Sequence, residues 1–273
     1  PFVVAFGTRG LYGLGLMGII YFLLLVLLYM VAKRDWHATF VPTGEIKFIT
    51  RGETLDRILE NVEGHHVEYD ATTWEWTMVP GEKSDVYEPF ITRWFGIYWV
   101  SIFFPFKRRA HWYMFDWPRL FTGIKPSEEK GKIETVSEEG KYYLQHRHEK
   151  VNSLYFRYAY PVVAVEVEIK GNLRITIMVL ITTEVVYPAR SVFLYKGNWL
   201  EPMMSAVRDA IAGFVNDMNI DKVRNNIAKE KTSHRFAAYI MRAVNKELVA
   251  KVGIRIVKVD FVRYDLSERH AQE

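Results

Sequence analysis

The chain has 273 residues, of which 49% are hydrophobic and 15% aromatic, enough to form a membrane anchor together with one or two folded modules. It contains no cysteine, which excludes disulfides, thiolate chemistry and zinc sites built from cysteine. Its formal net charge of +4 is small for a nucleic-acid-binding protein of this size, so we expect no nucleic-acid partner.

Residues 11–32 carry no charge, with Arg9 before them and Lys33 and Arg34 after them. At about 1.5 Å of rise per residue, a helix over this run reaches roughly 33 Å, enough to cross the hydrocarbon of a bilayer. We expect one transmembrane helix, with the central Leu24 and Leu25 in contact with lipid. A cleaved signal peptide fits less well, because the run exceeds a typical apolar signal core and its end lacks the small residue expected near a cleavage point.

Three glycines in this run, Gly13, Gly15 and Gly18, have the G-x-G-x-x-G spacing of dinucleotide-binding turns. The helix of such a site packs on a sheet and shows a polar face to water, whereas residues 19–32 are apolar on all sides. We therefore assign the glycines to the membrane helix, and we expect no cofactor.

Residues 35–120 indicate a membrane-proximal part that is rich in β-structure. Trp36 stands where an interfacial aromatic side chain belongs. Residues 39–50 predict two short strands around a turn at Pro42 and Gly44.

Two further patterns follow within this part. Residues 53–62 have apolar side chains at helical spacing, which predicts a short helix. Residues 73–77 alternate as a strand does, with Trp74 and Trp76 on one side.

Residues 95–106 form a nearly unbroken apolar and aromatic run, with Arg93 before it and three basic residues, 107–109, after it. Twelve residues are too few to cross a bilayer as a helix. The run predicts either a buried pair of strands or a hairpin in the headgroup region, with aromatic rings at the acyl edge and cations beside the phosphates. On the second interpretation the lipid-contacting residues of this stretch are Trp94, Phe95, Trp99, Phe103 and Phe104.

Residues 124–150 are rich in Lys, Arg and Glu and poor in large apolar side chains, so we expect a solvated loop or insertion. Two histidine clusters, within 65–68 and 146–149, lie in polar sequence. Neighbouring histidines converge on one ion only where a strand presents them, and we expect no metal site.

The last third of the chain has the clearest pattern. Residues 163–169 and 173–181 alternate between apolar and other side chains around a turn at Gly171 and Asn172, which predicts an antiparallel hairpin. Pro188 ends the second strand because proline has no backbone donor for the ladder.

Two helices and a strand complete the predicted elements. The first helix starts near Pro202, and the second is capped by Asp221 and stopped by Gly253. Residues 254–264 predict a closing strand.

The second helix is strongly basic. Residues 222–251 contain eight Lys or Arg and two acids, a net charge of +6. This surface is either an ordinary solvated face or a contact surface for a neighbouring subunit or for anionic lipid. On the subunit interpretation Arg235 and Arg242 are interface residues, and Glu166 and Glu168 on the first hairpin strand belong to the acidic surface opposite them.

The order of these parts resembles the SPFH or band 7 superfamily of stomatins, prohibitins, flotillins and the bacterial HflK and HflC proteins. The resemblance covers most of residues 11–267. It is carried by the anchor followed by Val41-Pro42-Thr43-Gly44-Glu45, Gly96-Ile97-Tyr98-Trp99-Val100, Phe104-Pro105-Phe106, Tyr187-Pro188-Ala189-Arg190-Ser191-Val192-Phe193, Ala206-Val207-Arg208-Asp209-Ala210-Ile211 and Gly253-Ile254-Arg255-Ile256-Val257-Lys258-Val259-Asp260.

The resemblance implies an α+β fold with a transmembrane segment in 1–34 and an SPFH1-like part in 35–120. A charged insertion in 121–154, an SPFH2-like part in 155–267 and the start of a C-terminal extension in 268–273 follow. It also implies a scaffold without enzymatic activity, in which many copies form a ring or cage on the bilayer.

The partners implied are membrane lipids, other copies of the chain or a paralogue, and a membrane-anchored protease. The implied location is a bacterial or organellar inner membrane, with the folded part on the non-cytoplasmic side. The alternative function is an accessory subunit or enzyme of a membrane protease complex, although the chain contains no G-x-S-x-G, H-E-x-x-H or P-loop spacing.

Overall fold

The structure is a computed structural model, and it describes residues 2–81, 90–101, 108–137, 142–196, 198–228 and 230–266. Helices and strands are mixed along the chain behind an N-terminal apolar helix, which confirms the α+β class. The helices are α1 (Phe2–Lys33), α2 (Phe90–Phe95), α3 (Leu200–Val215), α4 (Ile220–Val223) and α5 (Glu230–Val252).

The strands of the first half are β1 (Ala38–Phe40), β2 (Glu45–Arg51), β3 (Thr54–Asn61), β4 (His65–Asp70), β5 (Glu75–Pro80), β6 (Ile97–Trp99) and β7 (Arg109–Ala110). Those of the second half are β8 (Tyr113–Thr122), β9 (Lys132–Ser137), β10 (Tyr142–Val151), β11 (Ser153–Tyr155), β12 (Arg157–Ile169), β13 (Leu173–Val185) and β14 (Ile254–Leu266).

The chain divides into two compact units. We call Pro1–Glu63 with Lys83–His111 the anchor unit, and Gly64–Glu82 with Trp112–Glu273 the hairpin unit. The β4–β5 hairpin therefore belongs to the hairpin unit, although it lies in the sequence between two parts of the anchor unit.

Helix α1 begins the anchor unit. Among the residues that the structure describes, Gly15–Lys33 is the one helical segment long and apolar enough to cross a membrane, with a mean hydropathy of 2.5. Only 6% of it is buried within the protein, so its apolar side chains lack a protein core to cover them. The helix passes unbroken through Gly13, Gly15 and Gly18, and the dinucleotide-binding turn is absent there.

The strands of the anchor unit form two small groups. β1 pairs antiparallel with β6, and β2 pairs antiparallel with both β3 and β7. The two strands predicted within 39–50 are β1 and β2. The core beside β2 is made of the buried side chains of Val41, Ile49, Leu59, Val100 and Ala110.

The helix predicted over residues 53–62 is wrong, because this segment is strand β3. Ile49 pairs with Arg57 and Thr50 with Leu55, which leaves Asp56 as an extra residue in a β-bulge. A bulge reverses the alternation of side chains, so residues three apart lie on one side of the strand. The apolar spacing that suggested a helical turn comes from this bulge.

The main sheet of the hairpin unit has the order β12–β13–β14, with both pairs antiparallel. The predicted hairpin, its turn and its closing strand are confirmed, with positive φ at Gly171 and Asn172. β13 is central and almost entirely buried, because helices α3 and α5 pack on the sheet from one side and Leu144 of β10 contacts Val163 and Met178 from the other.

Helices α3 and α5 bury the apolar faces that the sequence predicts. Gly253 ends α5 with φ 79°, and a Cβ at this position would lie 2.5 Å from the carbonyl oxygen of Tyr187. The predicted cap is wrong: Asn219, and not Asp221, caps the start of α4, where its side chain accepts a hydrogen bond from the backbone N–H of Lys222 at 3.0 Å.

The solvated loop predicted over 124–150 is also wrong, because β9 and β10 lie within it and join β8 in a sheet of order β8–β10–β9. Its charged side chains pair along the sheet surface. His146 Nδ1 lies 2.8 Å from a carboxylate oxygen of Asp116, and Arg147 Nε lies 2.7 Å from Glu149. From Gln145 to Lys150 every side chain of β10 is polar or charged, so this strand lacks the apolar alternation that identifies a half-buried strand.

Candidate membrane interface and assembly surfaces

Within the anchor unit, the C-terminal end of α1 packs directly onto strands β1 and β6. Leu28 and the fully buried Ala32 contact Ala38 of β1 and Ile97 of β6. The ring of Tyr29 meets the ring of Phe40 edge-on, with 6.4 Å between the centroids. Burial of these apolar side chains fixes which face of the helix turns toward the folded part and which face remains open.

Aromatic side chains predicted to contact lipid are exposed on this same unit. The exposed fractions are 56% for Trp36, 71% for Trp94, 44% for Phe95 and 43% for Trp99. Buried aromatic side chains are the rule for a sheet core, so the exposure of Phe95 and Trp99, the two that lie within the run, favours the interfacial interpretation of the run over a core. Within the same run Ile97 and Val100 are buried, so the described part of the run also contributes to the core of the unit.

Of the anchor residues, Leu24 is 58% exposed and Leu25 is half-buried on α1. Phe103 and Phe104 lie outside the described residues.

The aromatic segment lies beside the end of α1 because of strand pairing. Ala38 is opposite Trp99, and the backbone N–H of Val100 donates to the carbonyl oxygen of His37 at 2.8 Å. A ring nitrogen of His37 also lies 3.0 Å from the carbonyl oxygen of Ser101. Val100 and Ser101 are therefore held against His37, which lies four positions beyond the end of α1.

Arg57 of β3 binds the backbone at the end of β6. Its guanidinium donates to the carbonyl oxygens of Trp99 and, at 3.2 Å, of Val100. Burial, and then the charge of Arg108, lower the pKa of Arg57, while Asp56 acts in the opposite direction. The sequence analysis did not single out Arg57, because only the pairing of distant strands brings it to β6.

A buried ion pair stabilises the turn after α1. Asp35, at φ 53°, accepts hydrogen bonds from the hydroxyl of Thr39 and from Lys47 Nζ, the latter at 3.2 Å. The side chains of Asp35 and Lys47 are 7% and 8% exposed. Asp35, the carboxylate nearest to Lys33 and Arg34 in sequence, is thus buried and bonded to Lys47 and Thr39.

The hairpin unit has an acidic surface along β12. Val165 and Glu166 form a bulge there, since Ala164 pairs with Ile177 and Val167 pairs with Ile175. The bulge turns Val165 outward, so the strict inward alternation predicted for this strand is wrong at that residue, which is 57% exposed.

Glu166 and Glu168 are both exposed, as predicted, and both line a groove of about 510 Å³ between β12 and α3. Asp209 and Arg208 of α3 line the same groove, and Arg208 donates from Nε to the carbonyl oxygen of Val163 at 3.0 Å. Glu166 also has a cation nearby, since Arg174 lies 3.5 Å from its carboxylate, so the three acids outnumber the two arginines by one. The sequence analysis missed Asp209. Its signal is the small residues Ala212 and Gly213 one turn later, which leave room for a groove.

The single basic helix predicted over 222–251 is wrong, because Lys222 lies on α4 and Arg224 begins a separate helical turn before α5. The part of the basic surface that carries Arg235 and Arg242 lies on α5. Phe236, Ile240, Val244 and Leu248 are buried, while Arg235 and Arg242 are exposed. Neither arginine has an ion-pair partner among the residues that the structure describes. Because α5 packs on β14 and the acidic groove lies on β12, the two surfaces belong to opposite edges of one three-stranded sheet.

In each histidine cluster one imidazole that is mostly buried pairs with a carboxylate. His66 Nε2 lies 2.8 Å from Glu68 and His146 Nδ1 lies 2.8 Å from Asp116. Within the described part of the chain, no group of three or more potential ligands comes together.

No family model matches this chain, and neither does any curated protein. We therefore argue its function from the geometry of the anchor and hairpin units.

Proposed function

We propose that the protein is a membrane-anchored scaffold of the SPFH type, whose copies assemble side by side into a ring on the bilayer. The observation that carries this proposal is the uncovered apolar helix α1, which leads within a few residues into a unit with exposed tryptophans. A helix of this composition is stable only in an apolar medium, and tryptophan side chains prefer the edge of that medium.

Lateral assembly is supported by the charges of the hairpin unit. Like-charged α5 helices would repel one another in a two-fold dimer, so a contact between two α5 surfaces is disfavoured. A head-to-tail contact instead sets α5 of one copy against the acidic β12 edge of the next, and repeating this contact closes a ring if the rotation allows. Both surfaces lie on one sheet, which fixes the angle between them within a subunit.

The ring would enclose a patch of lipid or restrict access to a membrane protein such as an AAA protease. By the same resemblance, we place the protein in a bacterial or organellar inner membrane with its folded part on the non-cytoplasmic side. Protease treatment of sealed vesicles of known orientation tests this arrangement, because the bilayer protects the hairpin unit from the protease only if that unit lies inside the vesicle.

The deciding experiment is a measurement of the native particle. The full chain is extracted from membranes in mild detergent, and its mass and outline are recorded by mass photometry and electron microscopy. We expect closed particles of many copies. Monomers or two-fold dimers across the accessible protein concentrations would overturn the scaffold proposal while leaving the anchor intact.

A further inference from the structure

The end of the anchor helix carries a groove that the scaffold proposal does not use. It has a volume of about 410 Å³, within the usual range of small-molecule sites. Its lining consists of the apolar Leu27, Met30 and Val31, together with Lys33, Arg34 and Trp36. Leu27 and Met30 are about half exposed, because they lie outside the cluster that packs α1 onto β1 and β6.

The charge of this groove is uncompensated. Neither Lys33 nor Arg34 has an ion-pair partner among the described residues, and the carboxylate of Asp35 is buried with Lys47 and Thr39. The helix dipole places about half a negative charge at this end, which offsets about a quarter of the two cations. A net positive charge therefore remains beside the apolar wall.

The groove is also held in shape. Leu28 and Ala32 lock α1 onto β1 and β6, so the helix cannot turn about its axis without breaking a packed cluster. The guanidinium of Arg34 lies 5.7 Å from the centroid of the Trp36 ring, where a cation–π contact positions it. Cations at the end of an isolated helix have no such fixed geometry.

We propose that this groove is a binding site for one anionic phospholipid, whose phosphate lies between Lys33 and Arg34 and whose acyl chain lies along Leu27, Met30 and Val31. The site rests on the proposed membrane anchoring, because only a chain in the bilayer meets a lipid at this position. The apolar wall selects a lipid over a free phosphate, and the two cations select an anionic over a zwitterionic headgroup.

The test uses the full chain reconstituted into bilayers of phosphatidylcholine and phosphatidylglycerol. After mild delipidation, native mass spectrometry counts the phosphatidylglycerol molecules that each protomer retains. We expect the wild type to retain phosphatidylglycerol in preference to phosphatidylcholine, and an excess of inorganic phosphate to leave this retention unchanged. Replacement by inorganic phosphate, or equal retention of both lipids, would overturn the site.

Three variants sharpen the result. Lys33→Gln with Arg34→Gln removes both cations, and the preference for phosphatidylglycerol should fall by roughly twenty- to thirtyfold. Met30→Trp keeps the charges but fills the groove, and it should also lower retention. The matched control is Arg51→Gln with Arg119→Gln, which removes two exposed arginines that have no ion pair among the described residues and should change nothing.

Equal losses in the control and in the Lys33 and Arg34 variant would show a general charge effect and overturn the site. Carbonate extraction of the same samples separates this inference from the anchor. If the wild type resists extraction but shows no lipid preference, the site fails and the anchor stands. If the wild type is extracted, the proposed anchoring fails as well.

Discussion

Gly96 joins helix α2 to strand β6 in a conformation that few side chains allow. Its φ is 61°, and a Cβ would lie 2.8 Å from the carbonyl oxygen of Val41, which also accepts a hydrogen bond from Asn61 at 2.9 Å. The backbone oxygen of Gly96 in turn accepts from the N–H of Val41 at 2.9 Å. The placement of Trp94 and Trp99 on either side of Gly96 therefore depends on glycine having no Cβ at this position.

We expect Gly96→Ala to destabilise the protein by more than the roughly 1–2 kcal/mol that a left-handed conformation costs an alanine. Gly52→Ala is the matched control, because Gly52 has φ 66° but nothing within 4 Å of its Cβ position. Urea unfolding of both variants in detergent, followed by tryptophan fluorescence, measures the difference. Equal losses would show that the contact with Val41 relaxes without cost.

Glu184 links β12, β13 and β14 through two arginines. Its side chain is 5% exposed, and it accepts hydrogen bonds from Arg157 Nε at 2.7 Å and from Arg255. Burial acts to raise the pKa of Glu184, but the hydrogen bonds and charges of Arg255 and Arg157 outweigh it and lower the pKa below the ordinary value of 4.5. A carboxylate with a lowered folded pKa stabilises the folded state above its unfolded pKa, and this contribution disappears as the pH falls through the folded value.

Glu184→Gln should therefore lower the free energy of unfolding by about 1.5–3 kcal/mol at neutral pH. The gap between the variant and the wild type should narrow as the pH falls below about 4.5, where the carboxylate of the unfolded wild type takes up protons, and it should close once the pH passes below the lower pKa of the folded state. Glu247→Gln is the control, since its one ion-pair partner among the described residues is the exposed Lys251 on the surface of α5, and we expect no measurable change. If the difference in free energy of unfolding between the variant and the wild type stays constant with pH, the ion pairs of Glu184 are not its cause.

At the scale of elements, we expect α1 to determine whether the chain enters a membrane, because it is long and apolar enough to cross one. Replacing Leu24 and Leu25 with Lys places two charges near the middle of the apolar segment, each costing about 2.5–3.5 kcal/mol there. We expect this variant to be extracted by carbonate, whereas Leu24→Phe with Leu25→Phe should remain in the membrane. A lysine variant that resists extraction would locate the anchor in another element.

The aromatic segment offers a clean probe, because the chain has no native cysteine. Single cysteines at Trp94 and Trp99 are labelled with a fluorophore, and the full chain is reconstituted with lipids that carry a quencher. We expect quenching at both positions and none for Tyr239→Cys, whose parent side chain on α5 is 43% exposed, as that of Trp99 is. Absence of quenching at Trp99, as at Tyr239, would favour the core interpretation of residues 95–106.

The elements that the sequence predicted well are those in which one physical cause dominates. Residues 11–32 are apolar on every side, and the hairpin around Gly171 and Asn172 has both apolar alternation and a turn that requires positive φ. The failures arise where pairing partners distant in sequence decide the outcome. The bulge at Asp56 imitates helical spacing, and β10 is held by its neighbours β8 and β9 and not by apolar alternation.

The candidate sites follow the same division. The exposure of Trp36, Trp94 and Trp99 agrees with what their neighbouring sequence predicts. Asp209 joins Glu166 and Glu168 only because α3 packs on β12, and the lipid groove at Lys33 and Arg34 exists only because Leu28 and Ala32 are packed on β1. Sequence spacing alone carries no information about such contacts between elements.

At the scale of the whole molecule, the charge distribution favours an assembly that repeats one contact. The acidic groove and the basic helix lie at opposite edges of one sheet, so each copy offers a complementary surface on either side. Exposed ion pairs contribute only about 0–1 kcal/mol each, so apolar contacts must supply most of the affinity. In the proposed ring the charges would set the register of the contact and disfavour the two-fold alternative.

Reversing Arg235 and Arg242 to Glu tests this arrangement, because it sets acidic side chains against the acidic groove of the next copy. We expect the monomer to stay folded, since both side chains are exposed, and the particles to shrink at low salt. At about 1 M salt the screening length falls to about 3 Å, so assembly should largely recover. Adding Glu166→Arg and Glu168→Arg to the same chain should restore particles at low salt, whereas Arg51→Glu with Arg119→Glu should leave them unchanged. Full-sized particles from the Arg235 and Arg242 variant at every salt concentration would remove α5 from the interface between copies.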